Sequence, residues 1–273
     1  MIAHRVNREA VVVLGWGRAI LMQLAHPLVA AGVGGHSRFD AGPLAYVERM
    51  RRTIGAMLSL TFGTEDRIRE TADRINAIHR RVHGRLNRTV GRYPAGTPYD
   101  ATDPALLKWV HSTLIDSQLQ AYALFVGPLT ADERDRYCAE AARLGPRLGV
   151  PAEELPKTTA ALERYLEQME QEGRLAVGEQ ALRLAEALLA PAGGRWIAPA
   201  LWPGRLTTIG LLRESMRERY GFAWRARDAR RLRSLAALLR AGRRLVPPVL
   251  REWPAARRAR FTPRPDRSAD SSG

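Results

Sequence analysis

Six histidines are the side chains in this sequence best suited to hold a metal ion or transfer a proton: His4, His26, His36, His79, His83 and His111. Neutral imidazole is a common metal ligand, and its charge changes near neutral pH. His79 and His83 are four residues apart, so both would lie on one face of a helix. Arg80 stands where a zinc-peptidase helix carries glutamate, and the Glu-x-x-His pairs of di-iron bundles are absent. The spacing therefore fits buried, hydrogen-bonded histidines as well as ligands.

Arg49, Arg52 and Thr53 form a second candidate set at helical spacing, so that all three would face one way. Guanidinium and hydroxyl donors on one face can bind an anion or stabilise a developing oxyanion. The alternative is the solvated basic face of a surface helix, and the pattern alone favours that alternative.

Helical spacing of apolar residues, together with capping residues, predicts the elements that carry these side chains. Thr64, Asp103, Thr130 and Thr158 stand where helix N-caps are expected. We predict helices at about residues 45–62, 64–82, 105–126, 130–148, 158–172, 177–189, 206–220 and 226–241, with loops at 88–103 and 191–203. No alternating β pattern and no internal repeat occurs. The predicted fold is all-α, a single irregular bundle of about eight to ten helices with strand content near zero.

Residues 10–33 form an almost uncharged segment, long enough to span a bilayer. It also contains Arg18, Gln23, His26 and Pro27, which would be costly in hydrocarbon. We favour a helix buried in the bundle over a membrane span.

Composition and charge exclude several classes of protein. Apolar residues make up 45% of the 273 residues, as expected for a globular chain, and a single cysteine, Cys138, excludes a disulfide framework. No signal peptide is evident, so we expect a cytoplasmic protein. The net charge of +15 is concentrated from Arg213 onward, where seventeen arginines stand against six acidic residues. We interpret this end as a solvated surface, and peripheral contact with a membrane is compatible with its charge. We expect no nucleic-acid partner.

Several motifs, in order along the chain, resemble the MpaB / rubber-oxygenase (latex clearing protein) catalytic domain family. They are QLAHPLVAAGV at 23–33, HSRF at 36–39, RMRRT at 49–53, FGT at 62–64, IHRRVHG at 78–84, DPALLKWVH at 103–111, GVP at 149–151 and LP at 155–156. GFAW at 221–224 and the arginine-rich end are similar to bacterial members. The resemblance covers roughly residues 10–260. It implies a latex-clearing-protein-like, globin-reminiscent bundle at residues 1–260, and we expect a disordered tail at 261–273.

The resemblance implies haem b as cofactor, with a histidine as the iron ligand, and O2-dependent cleavage or oxidation of double bonds in isoprenoid chains. It points first to His79 as the metal ligand. His83 is the second candidate, because its separation from Thr53 in the sequence suits rubber oxygenases at least as well. His26 and His111 match family motifs and are expected near the cofactor, by hydrogen bonding to the ligand or to a haem propionate. The alternative for both histidines is a structural role, as core side chains whose polar atoms are hydrogen-bonded within the protein.

The same resemblance gives catalytic candidates. Arg49, Arg52 and Thr53 match a stretch that lies over the distal face of the haem in rubber oxygenases, where a lysine can occupy the sixth iron position. Arg52 replaces that lysine, and a guanidinium that stays protonated cannot bind iron. No acidic residue near 33–36 matches the proposed catalytic base, so His36 is the candidate in its place.

The resulting hypothesis is a haem-dependent oxygenase that acts with O2 on a hydrophobic, isoprenoid-like unsaturated small molecule. The alternatives are a non-catalytic helical binding protein of the same fold and a basic nucleic-acid-binding protein. No recognition helix and no pattern of stacking aromatics supports the last alternative.

Overall fold

About 70% of the residues that the structure describes are helical, which confirms the all-α prediction. The computed structural model describes residues 1–36, 43–190 and 198–259. The helices of these residues are α1 (Ile2–Asn7), α2 (Trp16–Leu24), α3 (Pro27–His36), α4 (Pro43–Phe62), α5 (Glu65–His79), α6 (Pro104–Phe125), α7 (Ala131–Ala142), α8 (Thr159–Gln171), α9 (Glu179–Leu189), α10 (Ala198–Gly210), α11 (Glu214–Arg219), α12 (Ala226–Leu245), α13 (Pro248–Arg251) and α14 (Pro254–Ala259), with 3-10 helices at Ala10–Gly15 and Pro146–Leu148.

The described residues thus form fourteen α-helices rather than eight to ten, because several predicted spans break and short helices flank them. The span at 206–220 divides into α10 and α11. The predicted loop at 191–203 is partly helical, since α10 begins at Ala198 and accommodates Pro203. Residues 191–197 of that loop, and the tail at 261–273, lie outside the described residues.

Helix α6 is the centre of the bundle. It packs against α2, α8, α12 and the 3-10 helix Ala10–Gly15, and its Trp109 and Phe125 are completely buried. Asp103 caps its first turn by accepting a hydrogen bond from the Ala105 amide at 2.8 Å, and Pro104 has no amide hydrogen to leave unpaired there. The predicted start of this helix at Asp103-Pro104 is therefore confirmed.

The uncharged segment 10–33 does not form one continuous helix. Its 3-10 helix and α2 meet α3 at an angle of 106°. Among the described residues no single helix is long and apolar enough to cross a membrane, although this bent pair passes the same test of length and composition. Its apolar side chains lie in the core, where Leu21 and Leu24 are buried.

The charge of Arg18 in this segment is neutralised inside the core. Its Nη2 lies 2.6 Å from Asp116 Oδ2, its Nη1 donates to Ser117 Oγ at 2.7 Å, and its Nε donates to the Leu211 carbonyl at 2.7 Å. A buried ion tolerates such a position only when a counter-ion and hydrogen bonds replace water. Arg18 therefore joins α2 to α6 and to the end of α10.

A two-stranded hairpin interrupts the helices after α5. Strands β1 (His83–Arg85) and β2 (Pro98–Asp100) are antiparallel, with His83 opposite Asp100. The prediction that helix α5 continues to about residue 82 is therefore wrong. The chain leaves the helix at His79 because residues 83–86 form hydrogen bonds with the 96–100 segment, including Leu86 N to Thr97 O at 2.9 Å.

The two ends of the described chain meet. Glu9 and Glu252 form an isolated antiparallel bridge, and the Trp253 amide donates to the Arg8 carbonyl at 3.0 Å. Both glutamates are buried. Arg243 from α12 donates to both carboxylate oxygens of Glu9, at 2.9 and 2.7 Å, so that α12 is fastened to the N-terminal segment.

Candidate functional site

His26 lies at the sharp turn between α2 and α3 and is buried. Its Nε2 is 3.1 Å from the Tyr93 hydroxyl, whereas its Nδ1 is buried and has no hydrogen-bond partner among the described residues. Burial, with a smaller contribution from the nearby Arg174 charge, lowers the pKa of His26 to about 4. The imidazole is therefore neutral at physiological pH.

His111 lies on α6, close to the same turn. Gln23, three residues before His26, donates from Nε2 to the carbonyl of Val110 at 3.3 Å, so His26 and His111 flank one contact between α2 and α6. Burial lowers the pKa of His111 to about 4. Its Nε2 is buried and, within the described part of the chain, has no hydrogen-bond partner.

His79 is the last residue of α5 and is half-buried. Its Nδ1 is buried and finds no partner in the three described ranges, and burial lowers the pKa of the ring. The chain turns directly after it, and Val82 then lies against α3, where a Cβ on Gly32 would come 3.2 Å from Val82 Cγ1. The absence of a side chain at Gly32 thus lets α3 approach the end of α5.

His83 is placed differently from His79. It is exposed, begins β1 and faces Asp100 across the hairpin. The predicted common helical face of His79 and His83 does not exist, because α5 ends before His83. Of the two candidate ligands, His79 is half-buried and His83 is exposed.

The remaining catalytic candidates lie on α3 and α4. Arg52 is exposed, and its Nε donates to Glu48 Oε1 at 2.8 Å, while Thr53 is also exposed. The Arg51 and Arg52 guanidinium groups together lower the pKa of Glu48 to about 2. In the structure Arg52 thus forms part of a solvated ion-pair cluster. His36 ends α3 and Arg49 lies in α4, but the side chains of both lie outside the described residues.

A shallow, open cavity lies where α4 meets the 3-10 helix Ala10–Gly15; its roughly 300 Å³ of empty space includes open solvent. Its apolar wall includes Val12, Val13, Trp16, Met57, Phe62 and Trp253, and Asn7 and Gln118 are among its polar groups. Met57 follows Thr53 by one helical turn. None of the predicted site residues lines this cavity, although it adjoins the helix that carries three of them.

Two residues near the histidines were not predicted. Tyr93 and Arg174 set the hydrogen bonding and the charge around His26, and both come from segments between helices. Tyr93 is fixed in place by reciprocal backbone hydrogen bonds with Val90, at 2.9 and 3.1 Å. An aromatic residue in a turn-rich loop was the only sequence signal for Tyr93, and nothing in the sequence marked Arg174.

The arrangement offers three neutral imidazoles with unpaired buried nitrogens, rather than a cluster of ligands. No group of three or more His, Cys, Asp or Glu that could enclose a metal ion occurs among the residues described. Leaving a buried donor or acceptor unpaired costs about 1–3 kcal/mol, so such atoms are normally paired with a water or a ligand. A cofactor that brings its own equatorial ligands and needs one imidazole suits this chemistry better than a bare ion.

Most of the chain matches one known protein family. The model of the family described as ER-bound oxygenase mpaB/B'/Rubber oxygenase, catalytic domain, matches residues 4–241. No curated protein and no solved structure matches the chain. The matched residues include His26, His79, His83 and His111, and the match ends within α12.

Proposed function

Because this chain belongs to the mpaB/rubber-oxygenase catalytic-domain family, we propose that it is a haem-b-dependent oxygenase that uses O2 on a hydrophobic, unsaturated, isoprenoid-like molecule. Family membership supports the oxygenase part of this proposal. The observation that carries the haem part is the half-buried ring of His79, whose pKa is lowered by burial and whose buried Nδ1 has no partner among the described residues.

The residues present fit a haem. A histidine binds haem iron only in its neutral form, and the lowered pKa of His79 favours that form. His79 would hold the iron, and His26 and His111 would supply neutral polar groups beside the porphyrin. When bound, haem b would supply the iron centre that activates O2. His83 is the alternative ligand, and its exposure makes it the weaker candidate.

The chain's own residues would bind and orient an apolar substrate. Apolar side chains beside α4, among them Val12, Met57 and Phe62, line an open depression and would contact a hydrocarbon segment there. Arg52 and Thr53 lie on the same helix and carry hydrogen-bond donors. Arg52 would have to leave Glu48 before it could donate to a substrate oxygen, since Glu48 holds its Nε.

The absorption spectrum tests the haem part of the proposal. The full chain, expressed with a haem precursor, is expected to show a Soret band and a haem content near one per chain by the pyridine haemochrome method. His79→Ala is expected to lose the band, and His83→Ala is the matched control that keeps it. Loss in His83→Ala alone would make His83 the ligand. A colourless protein that fails to take up added hemin would overturn the proposal in favour of a non-catalytic binding protein.

Oxygen uptake tests the substrate part. The haem-loaded protein is expected to consume O2 with geranylgeraniol and to form carbonyl products that react with a hydrazine. The fully saturated analogue of the same alcohol is the control, because it lacks the double bonds. Equal uptake with both compounds would show that the double bond is not the group oxidised.

A further inference from the structure

The chain between α12 and α13 forms an exposed apolar corner. Residues 244–250 are all exposed, and six of these seven are apolar. The exposed fraction is 86% for Leu245, 50% for Val249 and 74% for Leu250. Pro247 and Pro248 restrict the backbone at the tip. Ordering this corner against a partner therefore costs little conformational entropy.

The apolar surface continues along α12. Leu238, Ala241 and Leu245 follow one another at helical spacing, and Leu238 is 69% exposed. A second exposed row runs beside the first, since Arg240 and Arg244 directly precede Ala241 and Leu245 in the sequence. This row consists of Arg230, Arg233, Arg240 and Arg244. The helix therefore presents an apolar row beside a basic row, both leading to the apolar corner. We call this surface the α12–α13 face.

The charge of this face is of one sign. Residues 229–251 contain seven arginines and neither Asp nor Glu. Arg243 is bound to Glu9, and Arg240 donates to the Ala123 carbonyl at 2.6 Å. Within the part of the chain that the structure describes, Arg230, Arg233 and Arg244 are exposed and have no acidic partner.

Three kinds of partner would satisfy different parts of this face. Nucleic acid would pair with the arginines but leave the leucines and valines in water. A second copy would cover the apolar residues but bring arginine against arginine. An anionic bilayer satisfies both parts, because apolar side chains enter the acyl boundary while arginines bind the lipid phosphates.

We propose that the α12–α13 face is a membrane-docking surface that binds the exposed leaflet of a bilayer containing anionic phospholipids. Leu245, Val249 and Leu250 enter the interface, and Arg230, Arg233 and Arg244 pair with headgroup phosphates. This inference goes beyond the proposed function and holds whether or not the chain carries haem.

Co-sedimentation of the full chain with vesicles tests the docking surface. The protein is expected to bind phosphatidylcholine vesicles that contain about 30% phosphatidylglycerol and to bind pure phosphatidylcholine far more weakly. Arg230→Gln with Arg233→Gln is expected to lower the partition coefficient roughly fivefold for each arginine removed. Leu245→Ser with Leu250→Ser is expected to lower it about tenfold or more, through the loss of buried apolar surface.

Matched control variants come from other exposed surfaces. Leu182→Ser on α9 removes a leucine that is 44% exposed, and Arg136→Gln on α7 removes an exposed arginine. Both are expected to bind vesicles as the original chain does. Equal weakening in these controls would overturn the proposal, because it would show that binding follows overall charge or hydrophobicity rather than this face.

A fluorescent probe locates the contact. Cys138 is the only cysteine and is completely buried, so a thiol-reactive, environment-sensitive dye labels Val246→Cys selectively. A blue shift on adding anionic vesicles is expected at position 246, with no shift for the same dye at Leu182→Cys. An unshifted dye at position 246 on vesicle-bound protein would contradict docking through this face.

Two other results would overturn the proposal. The first is duplex-DNA binding that weakens in the arginine variant, together with no vesicle binding. The second is a concentration-dependent dimer that dissociates in the leucine variant, again without vesicle binding.

Discussion

At the scale of single residues, burial decides the protonation state of the histidines. His26 is 3% exposed, and its imidazole has exchanged water for one tyrosine hydroxyl and a nearby guanidinium. Protonation would place a second positive charge near Arg174 in a poorly solvated space. The folded protein therefore excludes the proton that the unfolded chain would accept at the same pH.

This exclusion makes stability depend on pH. Unfolded histidine has a pKa of about 6.5, whereas His26 in the fold titrates at about 4, so the unfolded state binds more protons between these values. The free energy of unfolding is expected to fall by roughly 3 kcal/mol from this residue as pH drops from about 6.5 to about 4. Urea unfolding midpoints measured over that range check it.

His26→Gln tests the assignment, because an amide does not titrate. This variant is expected to show a shallower loss of stability over the same pH range. His83→Gln makes the same substitution at an exposed position and is the control for replacing imidazole by an amide. An unchanged slope in His26→Gln would mean that His26 is not the group that excludes the proton.

The sequence marked the histidines but not their surroundings. Motifs drew attention to His26, His79 and His111, and each has a buried ring nitrogen without a described partner. Tyr93 and Arg174 lie 67 and 148 residues from His26 in the sequence, and only the folded chain brings them near it. The predicted oxyanion donor Arg52 instead pairs with Glu48, four residues earlier, a partner that the sequence pattern did not single out.

At the scale of elements, helix starts were predicted better than helix ends. The side chains of Thr64, Thr130 and Thr158 each accept a hydrogen bond from the backbone amide three residues later in the chain. A local signal therefore sets these N-termini. The end of α5 depends instead on pairing between residues 83–85 and 98–100, which no local pattern reveals. Local patterns also misplace α10: residues 198–203 are predicted as loop, yet the helix begins at Ala198 and continues through Pro203.

Close packing between α2 and α10 depends on one glycine. A Cβ on Gly17 would lie 2.1 Å from Thr208 Oγ1 and 3.1 Å from its Cγ2, and Thr208 is buried. Gly17→Ala is therefore expected to destabilise the protein by about 1–3 kcal/mol through overpacking. Urea unfolding of the variant and the original chain measures the difference.

Gly242→Ala provides the matched control within another helix. Nothing lies within 4 Å of the position that its Cβ would occupy, so only helix propensity changes. This variant is expected to be more stable than the original chain by up to about 1 kcal/mol. Stabilisation by both substitutions would show that α2 and α10 are not in close contact at Gly17.

At the scale of the whole molecule, the join between the two ends is the feature that the sequence did not predict. Arg243 was counted with the solvated basic end, yet it holds the buried carboxylate of Glu9 through two hydrogen bonds. Opposite charges far apart in sequence carry no local pattern that would pair them. Fold class, in contrast, follows from composition and periodicity along the whole chain, and was predicted correctly.

Removing Arg243 should be costly because the buried Glu9 side chain would lose the guanidinium that donates to both of its oxygens. Arg243→Leu is expected to lower the free energy of unfolding by about 1.5–3 kcal/mol, because the buried Glu9 loses both hydrogen bonds from a partly buried guanidinium. Arg244→Leu, one residue later and exposed, is expected to change it by less than about 1 kcal/mol. Thermal and urea unfolding of both variants measure the contrast, and similar losses in the two would contradict a buried role for Arg243.

The join also sets an order of events during protein synthesis. Glu9 is made before Arg243, which follows it by 234 residues, when most of the helical core has already been translated. Until then the ribosome-bound chain carries the Glu9 carboxylate without the guanidinium of Arg243. Domains fold as their residues emerge, so the core can form first, but the N-terminal segment is joined to α12 only after Arg243 has been made.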